Sequence, residues 1–164
     1  MTTITIRSGT PGDSALIFHF VCELASYEQA SHEVTTNEQA LRSALFGERP
    51  RAYSLICEAD GKPAGFAVYF YNFSTWLGQY GLFLEDLYIS PDFRGKGAGK
   101  ALLQYLARQA LAEGCGRFEW NVLDWNKPAI DFYKSCGAVA QSEWVGYRLQ
   151  GDALAEFAAQ RLKP

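Results

Sequence analysis

Two hydrophobic rhythms divide the chain. Residues 3–7 alternate with a period of two and predict a short first strand. After Pro11-Gly12-Asp13, Leu16, Phe20 and Leu24 recur along one face of a helix over 15–27. Thr36 or Asn37 can cap a second helix, which runs through Phe46 and is ended by Gly47 and Pro50. Residues 51–59 and 64–73 read as strands on either side of an Asp60-Gly61 hairpin turn. Residues 72–81 read as a loop holding Trp76 and Tyr80, and 82–89 as an apolar strand. Leu102, Leu103, Leu106, Ala107, Ala110 and Leu111 then repeat at helical spacing until Gly114-Cys115-Gly116. A strand over 118–123 follows, then a helix capped by Asn126, with Pro128 in its first turn and Gly137 at its end. Residues 139–141 and 144–149 predict two last strands, and 152–162 a closing helix. Interleaved helices and strands give an α/β or α+β class with a mixed sheet.

Composition narrows this picture. The 164 residues are 48% hydrophobic and 20% charged, which suits one globular domain over 1–164. A net charge of -3 and a pI near 5.4 argue against a nucleic-acid partner. No apolar run approaches the roughly 20 residues of a membrane span, and residues 1–7 carry no signal-peptide core. The expectation is a soluble cytoplasmic protein with no membrane association. Cys22, Cys57, Cys115 and Cys136 lack metal-ligand spacing, so no metal is expected and the thiols are expected to be free and buried.

The candidate chemistry begins at Arg94-Gly95-Lys96-Gly97-Ala98-Gly99-Lys100, between the 82–89 strand and its helix. Strand, glycine turn and helix together make an anion cradle: glycines let the backbone approach a phosphate, and the helix N-terminus favours its charge. The bland alternative is a left-handed turn with solvated lysines. The alternating glycines match neither of the familiar nucleotide loops. Upstream, Glu85 and Asp86 interrupt the apolar strand. Unpaired buried charge is expensive, so this pair marks a site, an edge position or a structural ion pair. Plain alternation puts Glu85 on the face of Phe83 and Leu87, and Asp86 on that of Leu84 and Tyr88; a bulge would upset this parity. Tyr133 shares a helix face with Ala129 and Cys136, a spacing that by itself describes core packing.

Arg94-x-x-Gly97-x-Gly99 resembles the acetyl-CoA signature of the GNAT acyltransferases. The 84–89 stretch Leu-Glu-Asp-Leu-Tyr-Ile, the 123–133 stretch from Leu123-Asp124-Trp125-Asn126 to Tyr133, and Tyr27-Glu28 are similar to the diamine branch, which includes spermidine/spermine and thialysine acetyltransferases. The resemblance implies a mixed, mainly antiparallel twisted sheet of six or seven strands flanked by helices. The strands carrying Glu85 and Glu119 would splay to admit the pantetheine arm. Acetyl-CoA would be the co-substrate. Arg94, Gly95, Lys96, Gly97, Ala98, Gly99 and Lys100 would hold its pyrophosphate. Backbone groups of Leu87, Tyr88 and Ile89 would meet pantetheine and thioester, joined by Asn126, Lys127, Pro128 and Ala129.

By the same resemblance Tyr133 is the general acid. A phenol with a pKa near 10 can protonate a departing thiolate whose conjugate acid lies near 8.5. Glu85 would hold the substrate amine and help deprotonate it, with Tyr27, Glu28 and Asp86 lining the amine site. The family also implies a homodimer. The branch often carries an acidic residue just before a Gly-Trp/Tyr-Arg run; here Val145 precedes Gly146-Tyr147-Arg148, a departure that weighs against long polyamines, while Leu123-Asp124-Trp125-Asn126 leans to the thialysine side. The expected reaction moves acetyl from acetyl-CoA to a primary amine of a small di- or polyamine, or of a lysine-like amino acid, by direct attack. The alternatives are a protein or peptide N-acetyltransferase and a non-catalytic acyl-CoA-binding module. A cysteine-nucleophile route would need a base beside the thiol, and His19 and His32 are the two histidines.

Overall fold

A computed structural model describes residues 1–160. The chain falls into two compact units, Met1–Leu123 and Asp124–Pro164. The first holds a five-stranded sheet in the order β1 (Ile4–Ser8), β2 (Tyr53–Ala59), β3 (Lys62–Ser74), β4 (Gln79–Ile89) and β5 (Arg117–Trp120). The first four strands pair antiparallel, and β5 lies parallel to β4 after the crossover helix α3 (Ala98–Ala112).

One face of the sheet is covered by α1 (Ser14–Tyr27) and α2 (Glu38–Phe46). Ile56, Phe66 and Tyr88 lie opposite one another on β2, β3 and β4, and pack with Ile17, Phe20 and Leu45 of the two helices. Removing six large apolar side chains from water at one place gives this face most of its stabilisation. The other face takes α3, whose Leu102, Leu103, Leu106 and Ala110 are buried. Gln109 of α3 donates to the hydroxyls of Tyr69 (2.8 Å) and Tyr71 (3.1 Å), so the alternate residues of β3 point that way.

The turn between β1 and α1 is pinned by charge. Arg7 grips Asp13 with two bonds of 2.8 and 2.9 Å and Glu58 with a third of 2.9 Å. Asp13 also accepts from the Thr10 amide and hydroxyl. The Arg7 guanidinium holds the Asp13 carboxyl down at about 2.

Several expectations change here. The 72–81 segment is mostly strand: β3 and β4 pair out to Ser74–Gln79, stabilised by a Phe73–Tyr80 ring contact of 5.2 Å. β5 ends at Trp120, three residues short of the predicted 123. The sheet has five strands rather than six or seven, because 139–141 and 144–149 form no strand among the described residues. Val139, Trp144, Val145 and Tyr147 are exposed, so the apolar alternation there has no facing strand to satisfy. The second unit contains α4 (Lys127–Ser135) and α5 (Gly151–Ala159). The predicted end of the last helix, residues 161–162, lies outside the described residues. All four cysteines are free, but only Cys57 is buried and Cys136 is exposed.

Candidate active site

A single extra residue organises the first part of the site. Leu84 pairs with Tyr69 and Asp86 with the next β3 residue, Val68, which leaves Glu85 as a bulge. Leu84 therefore shares Tyr69's face, toward α3. Asp86 shares the face of Val68, which packs against the α1 core. Beyond the bulge, Leu87 and Ile89 approach Gly99 at the start of α3. The simple alternation expected for this strand is thus broken. Leu84 and Leu87 lie on one face, Phe83, Asp86 and Tyr88 on the other, and Glu85 is exposed.

The β4–β5 ladder ends at Leu84–Trp120, one residue before the bulge. From Glu85 to Ile89 that edge of β4 has no strand beside it among the described residues, and one of its backbone groups, the Ile89 carbonyl, accepts from Arg94 Nε instead.

The carboxylates gather on the α1 side. Burial pushes Asp86 up to about 6, with the charges of Glu85 and then Glu28 adding to the rise. Glu28 follows the last residue of α1 and is itself raised by burial. Gln29, at φ 59, turns the chain away directly after it. Tyr27, the residue before Glu28, turns its ring to the Arg94 guanidinium at 4.9 Å, which is also 5.4 Å from the Tyr88 ring. Of the four expected amine-site residues, Glu28 and Glu85 thus both lie within electrostatic reach of a third, Asp86. Glu33 is exposed beside His32.

The glycine turn occupies the other end of β4. A short 3-10 turn, Pro91–Phe93, leads into Arg94, whose Nε donates to the Ile89 carbonyl at 2.8 Å. Gly95 and Gly97 sit at φ 73 and 85, which L side chains disfavour. Gly97 is the N-cap of α3 and brings no side chain to its first amides. A Cβ built at Gly95 or Gly97 would meet nothing within 4 Å. Open space, uncapped amides and the nearby Lys96 and Lys100 fit a pyrophosphate. Lys96 is held by the Asp92 carbonyl at 2.9 Å.

The remaining residues lie in the second unit. Asn126 is buried and caps α4, its side chain accepting from the Ala129 amide at 3.4 Å. Pro128 occupies the first turn as expected, and Lys127 pairs with Asp131 at 2.6 Å. Tyr133 is half-buried on α4, its ring 5.6 Å from that of Phe132. Two features of the first unit had no sequence signal. No glycine marks the Glu85 bulge, and Tyr27 and Arg94 are far apart in the chain.

The match to the Acetyltransferase (GNAT) family spans residues 19–138, most of the chain, and includes β4 and the glycine turn. The chain belongs to the GNAT acetyltransferase family. It is 39% identical over 171 residues to a thialysine N-epsilon-acetyltransferase from Sus scrofa, covering 98% of this chain and 100% of that one. A protein of the same description from Caenorhabditis elegans is 37% identical over 161 residues, covering 96% of this chain and 99% of the relative. An integron cassette protein from V. cholerae superposes with a TM-score of 0.80 at 28% identity, covering 96% and 98% of the two chains. This GNAT acetyltransferase is therefore an enzyme. Among its described residues no helix is long and apolar enough to cross a membrane.

Proposed function

We propose that the protein transfers acetyl from acetyl-CoA to a primary amine of a small cationic substrate, a di- or polyamine or a lysine-like amino acid such as thialysine. The observation that carries this reading is Asp86 held near Glu85 and Glu28 on the strand that leads into the uncapped glycine turn. A primary alkylamine has a pKa near that of Lys, about 10.4, so it arrives as an ammonium that cannot attack a thioester. Carboxylates attract it and must then take one proton. Glu85, exposed at the bulge, meets the amine and accepts that proton directly or through water. Asp86, pushed up to about 6, is a second carboxylate able to hold a proton near neutral pH. Tyr27 and Glu28 take the far end of the substrate.

Acetyl-CoA lies with its pyrophosphate on residues 94–100 and its pantetheine along the unpaired edge of β4. Leu87, Tyr88 and Ile89 supply the backbone groups that polarise the thioester carbonyl. Asn126, Lys127, Pro128 and Ala129 complete the pantetheine contacts. Tyr133 protonates the departing thiolate. The two units then serve as one domain over 1–164, in keeping with relatives that align across almost the whole chain. The amine attacks the thioester directly; burial pushes Cys57 up to about 11 and raises Cys115, which makes these two thiols poor nucleophiles near neutral pH. We further propose a cytoplasmic homodimer.

The test is release of free CoA measured across spermidine, putrescine, diaminopropane, thialysine, lysine and a peptide. The reading expects turnover with one or more of the small amines and little with the peptide. Peptide-only turnover would overturn it. Glu85→Gln keeps the shape and removes the charge. It is expected to raise KM for the amine and to lower kcat/KM most at lower pH, with CoA binding nearly intact.

A further inference from the structure

The Arg94 side chain reaches well outside the glycine turn that it begins. Its Nε is bonded to the Ile89 carbonyl at the end of β4. Its guanidinium lies over Tyr88 of β4 and over Tyr27, the last residue of α1. A second tie runs alongside, where Ser90 donates to Glu23 of α1 at 3.1 Å. Past Arg94 the turn depends on Gly95 and Gly97, which add no side-chain anchors. The turn is therefore seated against α1 by two ties, the Arg94 guanidinium on Tyr27 and the Ser90–Glu23 bond, and only the first of them involves a residue of the turn itself. Tyr27 is also the residue next to Glu28, in the wall given above to the amine.

We propose that Arg94 is a positioning residue that couples the two substrate sites, so that Tyr27, on the amine side, governs affinity for acetyl-CoA. This rests on the cradle and amine-wall reading above. A ring that only lined the amine site would leave binding of CoA alone untouched. A ring that holds Arg94 in place would not. A guanidinium over a partly exposed ring contributes modestly, so its loss should weaken CoA about two- to fivefold. Bound CoA should in turn tighten the amine by the same factor that the amine tightens CoA.

The experiment is titration calorimetry of CoA, with no amine present, into wild type, Tyr27→Leu, Tyr27→Phe, Arg94→Leu, Arg94→Lys and the double Leu variant, with thermal melts to verify folding. Tyr27→Leu should raise Kd about two- to fivefold, while Tyr27→Phe, which keeps the ring, should bind like wild type. Arg94→Lys should also bind more weakly, because an ammonium lacks the planar fork that meets Ile89 and both rings. On the Arg94→Leu background, Tyr27→Leu should add nothing further. An unchanged Kd in Tyr27→Leu, wild-type binding by Arg94→Lys, or additive losses in the double variant would each overturn the coupling and leave the proposed reaction standing. A wild-type protein that bound no CoA would overturn the cradle itself.

Discussion

Asp86 sets function against stability. Its folded value of about 6 lies above the ordinary carboxylate value of 3.8. The fold therefore favours its protonated form. That contribution is full below about pH 4 and is lost as pH rises through about 6, so at neutral pH the ionised group costs stability on the order of 3 kcal/mol. Asp86→Asn is expected to raise Tm at pH 7.5 and to give almost no gain at pH 4, while lowering kcat/KM for the amine. Melts at the two pH values check this; an equal gain at both would remove titration of Asp86 as the cause. Tyr133 poses the opposite question, since its helical spacing is also that of a packing residue. Tyr133→Phe keeps the ring and removes the proton. It should lower kcat by about 10²–10⁴, the usual scale for a general acid, with CoA affinity little changed. A near wild-type kcat with chemistry limiting would return the ring to packing.

At the scale of elements, the glycine turn and the β1–α1 turn work differently. The first needs open space and positive φ. Gly97→Val places a β-branched residue at φ 85 and a bulky group toward the bound phosphate. Acetyl-CoA affinity should collapse in a protein that still folds, as read by calorimetry beside a far-UV spectrum; normal binding would remove the cradle assignment. The second turn is purely structural. Asp13, held at about 2 by Arg7, stabilises the fold above about pH 4 and loses that contribution as pH falls through 2. Asp13→Asn should cost on the order of 2 kcal/mol in urea unfolding at pH 7, with turnover retained below the melt.

These elements also show what the sequence could disclose. Asp60-Gly61 predicted a tight hairpin, and both residues take positive φ, 50 and 74. Asn126 as a cap and the α3 repeat were equally local signals. The Glu85 bulge was not, because it exists only as a mismatch of register between β3 and β4. The long β3–β4 hairpin was hidden by its tip, where Trp76, Leu77 and Gly78 look like a loop while the flanking rings pair across strands. The alternation of 139–149 suggested strands, but a period of two implies a strand only where a neighbour completes the ladder.

On the scale of the whole molecule, similarity to the thialysine relatives runs across both units, and the residues assigned to the reaction are divided between them. Val145 and Tyr147 are exposed in the second unit. A homodimer would give such apolar surface a partner, though scattered exposed aromatics are common. Sedimentation should therefore find a dimer at assay concentration; a monomer throughout would remove that part of the proposal. The central claim is acetyl transfer to a small amine by direct attack. It is tested most directly by mass spectrometry of protein and small molecules after incubation with acetyl-CoA, with and without thialysine or spermidine. Acetylated amine should form one for one with CoA, and the protein should stay unmodified when the amine is left out. An acetylated cysteine on the protein, or CoA released without any acetylated amine, would contradict it.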